Sequence, residues 1–291
     1  MGALASGFIL AASFAVMLLS VSESIMEKYV ATRMGRYAFS VSILAIGILP
    51  MLIAAFFIRV SLVNYSTVAI AIISGLFLGA GYPLFYMSME KEQVTKVSSL
   101  TEIQPTIIVV AGLLIFGERI SLYHGIGMML IFAGVAMLMA EERMKINRNL
   151  LPAVMANVCW GLYWVIIAFS ISYGLTFIAA LMVARITAAI MTYYYAHRNS
   201  KLPTLRAFIH ILTTKRLMYA LAIVGIIDGV FNLIFGFVTA SNYLAIGGSI
   251  LAIAPLFVAL LGALVYRDRL GALQLAGLFV VIAGSVIITI S

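Results

Sequence analysis

Glu102 and Asp228 each stand inside a long apolar stretch, where a carboxyl is the first candidate for chemistry. Setting one acid in hydrocarbon costs about 3 kcal/mol on insertion scales, so each must face protein or water. An acid so placed suits holding a proton or capturing a cationic group. Glu102 lies three residues before Pro105 and shares a helical face with Ser99. Asp228 has Asn232 one turn further on, with Gly225 and Gly229 beside it. Arg185 lies within another apolar stretch, where it either neutralises an acid or holds a substrate carboxylate. A third acid, Glu23, belongs to a stripe of Ser13, Ser20, Glu23, Ser24 and Glu27 at three- to four-residue steps. The outer members of that stripe, Glu27 above all, are expected at a membrane edge.

Aromatic side chains gather near these groups. Asn157, Trp160 and Trp164 fall on one helical face with Tyr163 adjacent, and Tyr82 and Tyr86 lie one turn apart in another stretch. Together they form a candidate aromatic wall for a cation or an aromatic substrate. Tyr193, Tyr194 and Tyr195 end their stretch and read as an interfacial belt. No P-loop, Gly-x-Ser-x-Gly elbow or His/Glu metal motif occurs, so neither nucleotide-driven work nor hydrolysis is indicated, and no metal or other cofactor is called for. Cys159 is the single cysteine, which excludes a disulfide framework and a Cys-based zinc site.

The elements that must position these residues follow from composition. Hydrophobic residues make up 64% of the 291 and charged residues 10%, against about 25% charged in a soluble domain. One core could not hide that much apolar surface; a lipid bilayer solvates it directly. The net charge of +8 sits in short segments between apolar stretches, the pattern of headgroup contact and not of nucleic-acid binding. Helical spans need about 20 apolar residues. Candidates are 6–24, 38–58, 66–88, 95–116, 122–140, 150–170, 174–196, 217–239, 242–265 and 271–290. The expectation is an all-α, ten-helix membrane protein. The basic, partly apolar segment 197–216 is expected to lie along the interface.

Residues 96–140 align without gaps on 246–290, and nine of the 45 positions are identical. They include Ser99/Ser249, Pro105/Pro255, Gly112/Gly262, Arg119/Arg269, Gly127/Gly277 and Gly134/Gly284. Hydrophobic bias aligns leucines; it does not align prolines and glycines in register. The chain therefore reads as a duplication, 1–145 and 146–291, integrated in one membrane domain. Five spans per copy is odd, so the copies are inverted, as in many secondary transporters with a site near the midplane. Pro105 and Pro255 bend equivalent helices, serving either as a hinge pair or as fixed curvature. Glu118 and Asp268, beside Arg119 and Arg269, read as ion pairs that lock their loops.

The stretch Ser98-Ser99-Leu100, Pro105, Gly112, Gly117-Glu118-Arg119-Ile120, with its copy at Ser249, Pro255, Gly262 and Arg267-Asp268-Arg269-Leu270, resembles the fourth-span motif of the drug/metabolite transporter superfamily, EamA-like branch. Trp160-Gly161 and Arg185 also resemble recurring positions of that family. This chain departs from the pattern at Arg267-Asp268, and it lacks a Trp-Gly pair in its first span. The resemblance implies a multi-pass protein of the cell membrane that moves amino acids, other small metabolites or organic cations through a central cavity. The expected partners are the lipid bilayer, a small-molecule substrate and protons. The expected mechanism is alternating access, by an exporter or exchanger. A channel-like pore and, more remotely, an intramembrane enzyme are the alternatives.

Orientation brings two warrants into conflict. With ten spans, the side opposite the termini carries fifteen of the eighteen Lys and Arg. Basic loops stay in the cytoplasm, which puts both termini outside; the family resemblance implies both inside. Following the charge count, a cysteine introduced at Lys201 in a Cys159→Ser background should resist a membrane-impermeant thiol reagent in intact cells. Rapid labelling would place segment 197–216 outside and reverse the assignment.

Overall fold

The computed structural model describes residues 3–58, 60, 65–92, 97, 103–141, 148–199, 214–254 and 272–290. Among them the regular structure is entirely helical. The helices are α1 (Ala3–Met34), α2 (Arg36–Ile46), α3 (Ile48–Phe57), α4 (Tyr65–Met89), α5 (Ile103–Leu114) and α6 (Leu122–Glu141). They continue as α7 (Leu151–Ser172), α8 (Phe177–Asn199), α9 (Lys215–Ala240), α10 (Leu244–Leu251) and α11 (Ala272–Ile290). Five stretches of the described residues are long and apolar enough to span a bilayer: Arg36–Phe57 across α2 and α3, α4, α7, most of α8, and α9. The expected interfacial segment 197–216 falls largely outside the described residues, as do parts of the spans expected at 95–116 and 242–265.

The first span is longer than hydropathy suggested. Its expected end at residue 24 is corrected by α1, which runs unbroken to Met34. At about 1.5 Å per residue its 32 residues reach roughly 48 Å. Acidic residues lowered the hydropathy there, yet they face protein, so the helix had no reason to stop. It stops at Gly35, whose φ of +78° only glycine adopts cheaply, and α2 begins at once. A second glycine, Gly47, separates α2 from α3 within one apolar stretch.

The most extensive packing joins helices before residue 145 to helices after it: α6 with α11, α4 with α7 and α8, α1 with α9, and α5 with α7. Two of these pairs are related by the repeat. Shifting by 150 residues turns α4 into α9 and α1 into much of α7, so α1–α9 and α4–α7 are one contact made twice. The α6–α11 crossing is reciprocal in detail. A Cβ on Gly134 would come 2.6 Å from the Gly277 carbonyl oxygen, and one on Gly284 would come 2.6 Å from that of Gly127. Gly134 also abuts Val281 and Gly284 abuts Ile131, again 150 apart. Small residues let these backbones touch, as helices in lipid require.

The turn after α5 joins the same two regions. Gly117 takes φ +62°, the Phe116 and Glu118 N–H groups bond back to Ala111 and Gly112, and the helix closes as a glycine-capped end. Glu118 then reaches α10. Its carboxylate accepts the N–H of Leu244 at 2.7 Å and of Ala245 at 2.8 Å, satisfying orphan donors at that helix start. The expected Glu118–Arg119 pair is therefore corrected to a helix cap, and Arg119 points to the exterior. Burial pushes the Glu118 carboxyl above its usual range, opposed by the two N–H groups. Asp268 lies outside the described residues.

Reciprocal packing makes a quantitative prediction. Gly134→Leu and Gly284→Leu should each destabilise the protein by about 1–3 kcal/mol and to a similar extent. Thermal unfolding in detergent measures this; a marked inequality would show that the two sides of the crossing are not equivalent.

Candidate functional site

A cavity of about 80 Å³ lies between helices from both ends of the chain. That is room for several waters or a small polar molecule. The walls from α1, α4, α7 and α9 each use one helix face, with residues three to four apart along it. Ser20, Glu23 and Glu27 come from α1; Leu78, Tyr82 and Phe85 from α4; Gln104 and Pro105 from α5. Trp160, Tyr163 and Trp164 come from α7, and Asp228, Phe231 and Asn232 from α9, with Leu251 and Ala254 closing the end.

One network organises the α4–α7–α9 side. Asp228 and Arg185 form an ion pair with both side chains almost fully buried. The Tyr82 hydroxyl donates to Asp228 Oδ1. Asn232 donates from Nδ2 to the Asp228 carbonyl at 2.8 Å and to Oδ1 at 3.3 Å, while its own Oδ1 accepts from the Tyr163 hydroxyl at 3.1 Å. Arg185 Nε donates to the Leu44 carbonyl at 3.0 Å. The chain of bonds thus joins α2, α4, α7, α8 and α9. Gly47 makes room for it: a Cβ there would lie 2.6 Å from the guanidinium carbon. Gly229 in turn lies flat against the Gly47 backbone. The helix break at Gly47 and the bare face of α9 are therefore parts of the arginine's seat.

The α1 side differs. Glu27 is 5% exposed and accepts a hydrogen bond from the Tyr86 hydroxyl. Glu23, one turn away, has no hydrogen-bond partner among the described residues and faces the cavity. Aromatic rings fill the space between. Trp160 meets Tyr82 edge-on with centroids 5.4 Å apart and Phe85 at 4.9 Å. Trp164 packs between Tyr163 at 4.8 Å and Phe235 at 4.5 Å. The Trp160 indole nitrogen is buried against Gly81 without a hydrogen-bond partner among the described residues, and Asn157 Oδ1 is likewise unpartnered.

The structure thus brings Glu23, Tyr82, Pro105, Trp160, Tyr163, Trp164, Asp228 and Asn232 to one cavity. Arg185 stands behind Asp228. Tyr86 reaches the site through Glu27, and Asn157 is buried one turn from Trp160, off the cavity wall. Glu102, Ser99 and Pro255 lie outside the described residues. Phe85, Gln104 and Phe231 line the cavity without having drawn attention in the sequence, and Ser20 of the α1 stripe lines it too. Glu27 was underrated because span prediction put it at a membrane edge. Its helical spacing from Glu23 already put it on the same face, and the structure keeps that face helical through Glu27.

Comparison with known proteins agrees with this architecture. The model of the EamA-like transporter family matches twice, over residues 5–140 and 148–290. No curated protein matches the sequence. A solved structure described as "Crystal structure of protein" superposes with a TM-score of 0.70 at 15% identity, covering 97% of this chain and 96% of that one. At that identity the likeness is one of fold.

The ion pair should behave as a unit. Arg185→Leu leaves Asp228 buried and uncompensated, at a cost of about 3–5 kcal/mol, and Asp228→Leu strands Arg185 similarly. Pairing both substitutions should recover most of the loss. A thermal-unfolding double-mutant cycle in detergent tests this, and additive losses would show that the two groups do not depend on each other.

Proposed function

Since the chain belongs to the EamA-like transporter family, and so to the drug/metabolite transporter superfamily, we propose that it is an alternating-access secondary transporter of small molecules carrying a cationic group. The full architecture we infer is ten spans in two inverted five-helix repeats, 1–145 and 146–291. Supporting it are the twofold family match and the contacts that recur at an offset of 150. The amino group of an amino acid, an amine or an organic cation fits the reading.

One observation carries it: Glu23 and Glu27 line the cavity one turn apart. Two carboxylates roughly 6 Å apart in a medium of effective dielectric about 20 repel by about 3 kcal/mol. A counter-charge removes that cost. Arg185 is ion-paired with Asp228 and offsets the charge of Glu23 only in part, and among the described residues no ion pair reaches Glu27. A proton or a cationic substrate group supplies it, and competition between the two couples them. The faces of Tyr82, Phe85 and Trp160 provide further attraction for a cation. On this reading Asp228 holds the cavity wall in place, and Glu102, next to α5, remains a second acid to test.

In proteoliposomes with an imposed pH gradient, a panel of amino acids, amines and organic cations should include at least one driven solute. Glu23→Gln and Glu27→Gln should each abolish gradient-driven flux of that solute while the protein stays folded. Trp160→Leu should weaken its binding by about five- to thirty-fold, the worth of a desolvated cation–π contact. Asp228→Asn and Glu102→Gln complete the series. Undiminished driven flux in both α1 variants would remove these acids from the mechanism.

A further inference from the structure

Away from the cavity, the packing of α4 on α8 at Gly75 and Gly79 is joined by one side-chain bond near Pro83. Pro83 inside α4 cannot donate the backbone bond that the Gly79 carbonyl would accept. The Thr192 hydroxyl of α8 supplies the missing donor at 3.1 Å. At Gly79 itself the helices touch, since a Cβ there would come 3.0 Å from Ala188 Cα. Beside this contact lies a groove of about 200 Å³ whose apolar walls include Ala80, Leu84, Met87 and Met191. Arg36 and Tyr37 of α2 and Tyr195 of α8 complete its lining. It opens outward beside Tyr195, which is 51% exposed.

The groove's polar lining carries a cation. Arg36 pairs with Glu90 at 3.3 Å, with each side chain 30% exposed. That partly solvated pair occupies one N–H-bearing nitrogen, Nη1, of a guanidinium with five donors. Arg33 and Arg198 engage their own helices, Arg33 at the Tyr29 carbonyl and ring and Arg198 at the Tyr194 hydroxyl, so among the described residues Arg36 is the cation that lines the groove. An apolar trough lined at its polar part by an arginine and two tyrosines has the polarity of a phospholipid: acyl chain along the trough, phosphate at the guanidinium.

We propose that the α2–α4–α8 groove is a binding site for an anionic phospholipid, with Arg36 as its headgroup contact. The site is separate from the central cavity and does not depend on what the protein transports.

Native mass spectrometry of the purified protein, titrated with phosphatidylglycerol or phosphatidylcholine, tests it. Phosphatidylglycerol should be retained preferentially. Arg36→Ala should cut that retention about fivefold, the effect of one basic contact at a membrane surface. Glu90→Gln also breaks the ion pair but keeps the arginine, so it should retain or gain phosphatidylglycerol. Ala80→Trp, which fills the trough, should lower binding of both lipids. Equal retention of the two lipids, unchanged preference in Arg36→Ala, or equal loss in Glu90→Gln and Arg36→Ala would overturn the assignment. So would a lipid-free dimer that Ala80→Trp dissolves, which would give the groove to a second copy.

Discussion

Burying an arginine and an aspartate in a chain that is 64% hydrophobic constrains everything around them. Removing either charge from water costs several kcal/mol, and mutual attraction offsets this only when geometry and further hydrogen bonds are favourable. Here the surrounding structure provides several such bonds, although Arg185 Nη1 is buried without a hydrogen-bond partner among the described residues. Tyr82 and Asn232 donate to Asp228, Tyr163 fixes Asn232, and Leu44 accepts from Arg185. Each of these groups sits on a different helix or turn, so satisfying one ion pair fixes how five helices meet. The glycines follow from the same demand. Gly47 vacates the volume of the guanidinium, and Gly229 lets α9 lie against that point. Adding a methyl group at either position would press on backbone or on the charge itself.

The glycine pattern also explains why the duplication persisted where other similarity eroded. Lipid offers no hydrophobic drive for helices to associate, so close backbone contact must supply the attraction. Gly75 and Gly79 seat α4 on α8, and Gly225 and Gly229, 150 residues later, seat α9 on α2 and its break. Gly127, Gly134, Gly277 and Gly284 do the same for α6 and α11. A leucine exchanged for isoleucine keeps its volume, whereas any side chain on a glycine against a carbonyl forces the backbones apart.

That difference governs what the sequence disclosed. The repeat was legible because glycine and proline carry backbone information that composition does not mimic. Asp228, Arg185 and Glu23 stood out because ionisable groups are rare in apolar stretches. The partnership of Asp228 with Arg185 was less legible: the two are 43 residues apart on separate helices, and nothing local marks them as neighbours. Hydropathy misjudged α1 for a related reason. It scores Glu23, Glu27 and Lys28 as reasons to leave the membrane, whereas acids facing a protein-lined cavity do not break a helix. Glu118 shows the converse, since its neighbour Arg119 suggested a local ion pair while the carboxylate serves backbone N–H groups of α10.

The network and the α1 acids divide the cavity into unlike walls. On one side Asp228, Arg185, Tyr82, Asn232 and Tyr163 are joined to one another by an ion pair and hydrogen bonds. On the other, α1 contributes two carboxyls whose one hydrogen bond among the described residues is the Tyr86 hydroxyl on Glu27. Tyr86 sits on α4, one turn from Tyr82, and packs against Phe39 of α2 with centroids 4.7 Å apart. On the proposed reading, a cation entering the cavity competes with that hydroxyl for Glu27. The occupancy of the site is then felt at the bond linking α1 to the α2–α4 wall. A ligand moves a conformational equilibrium only through differential contacts with its states. The Glu27–Tyr86 bond is such a contact, because it is made with one partner when the cavity is empty and contested when it is full.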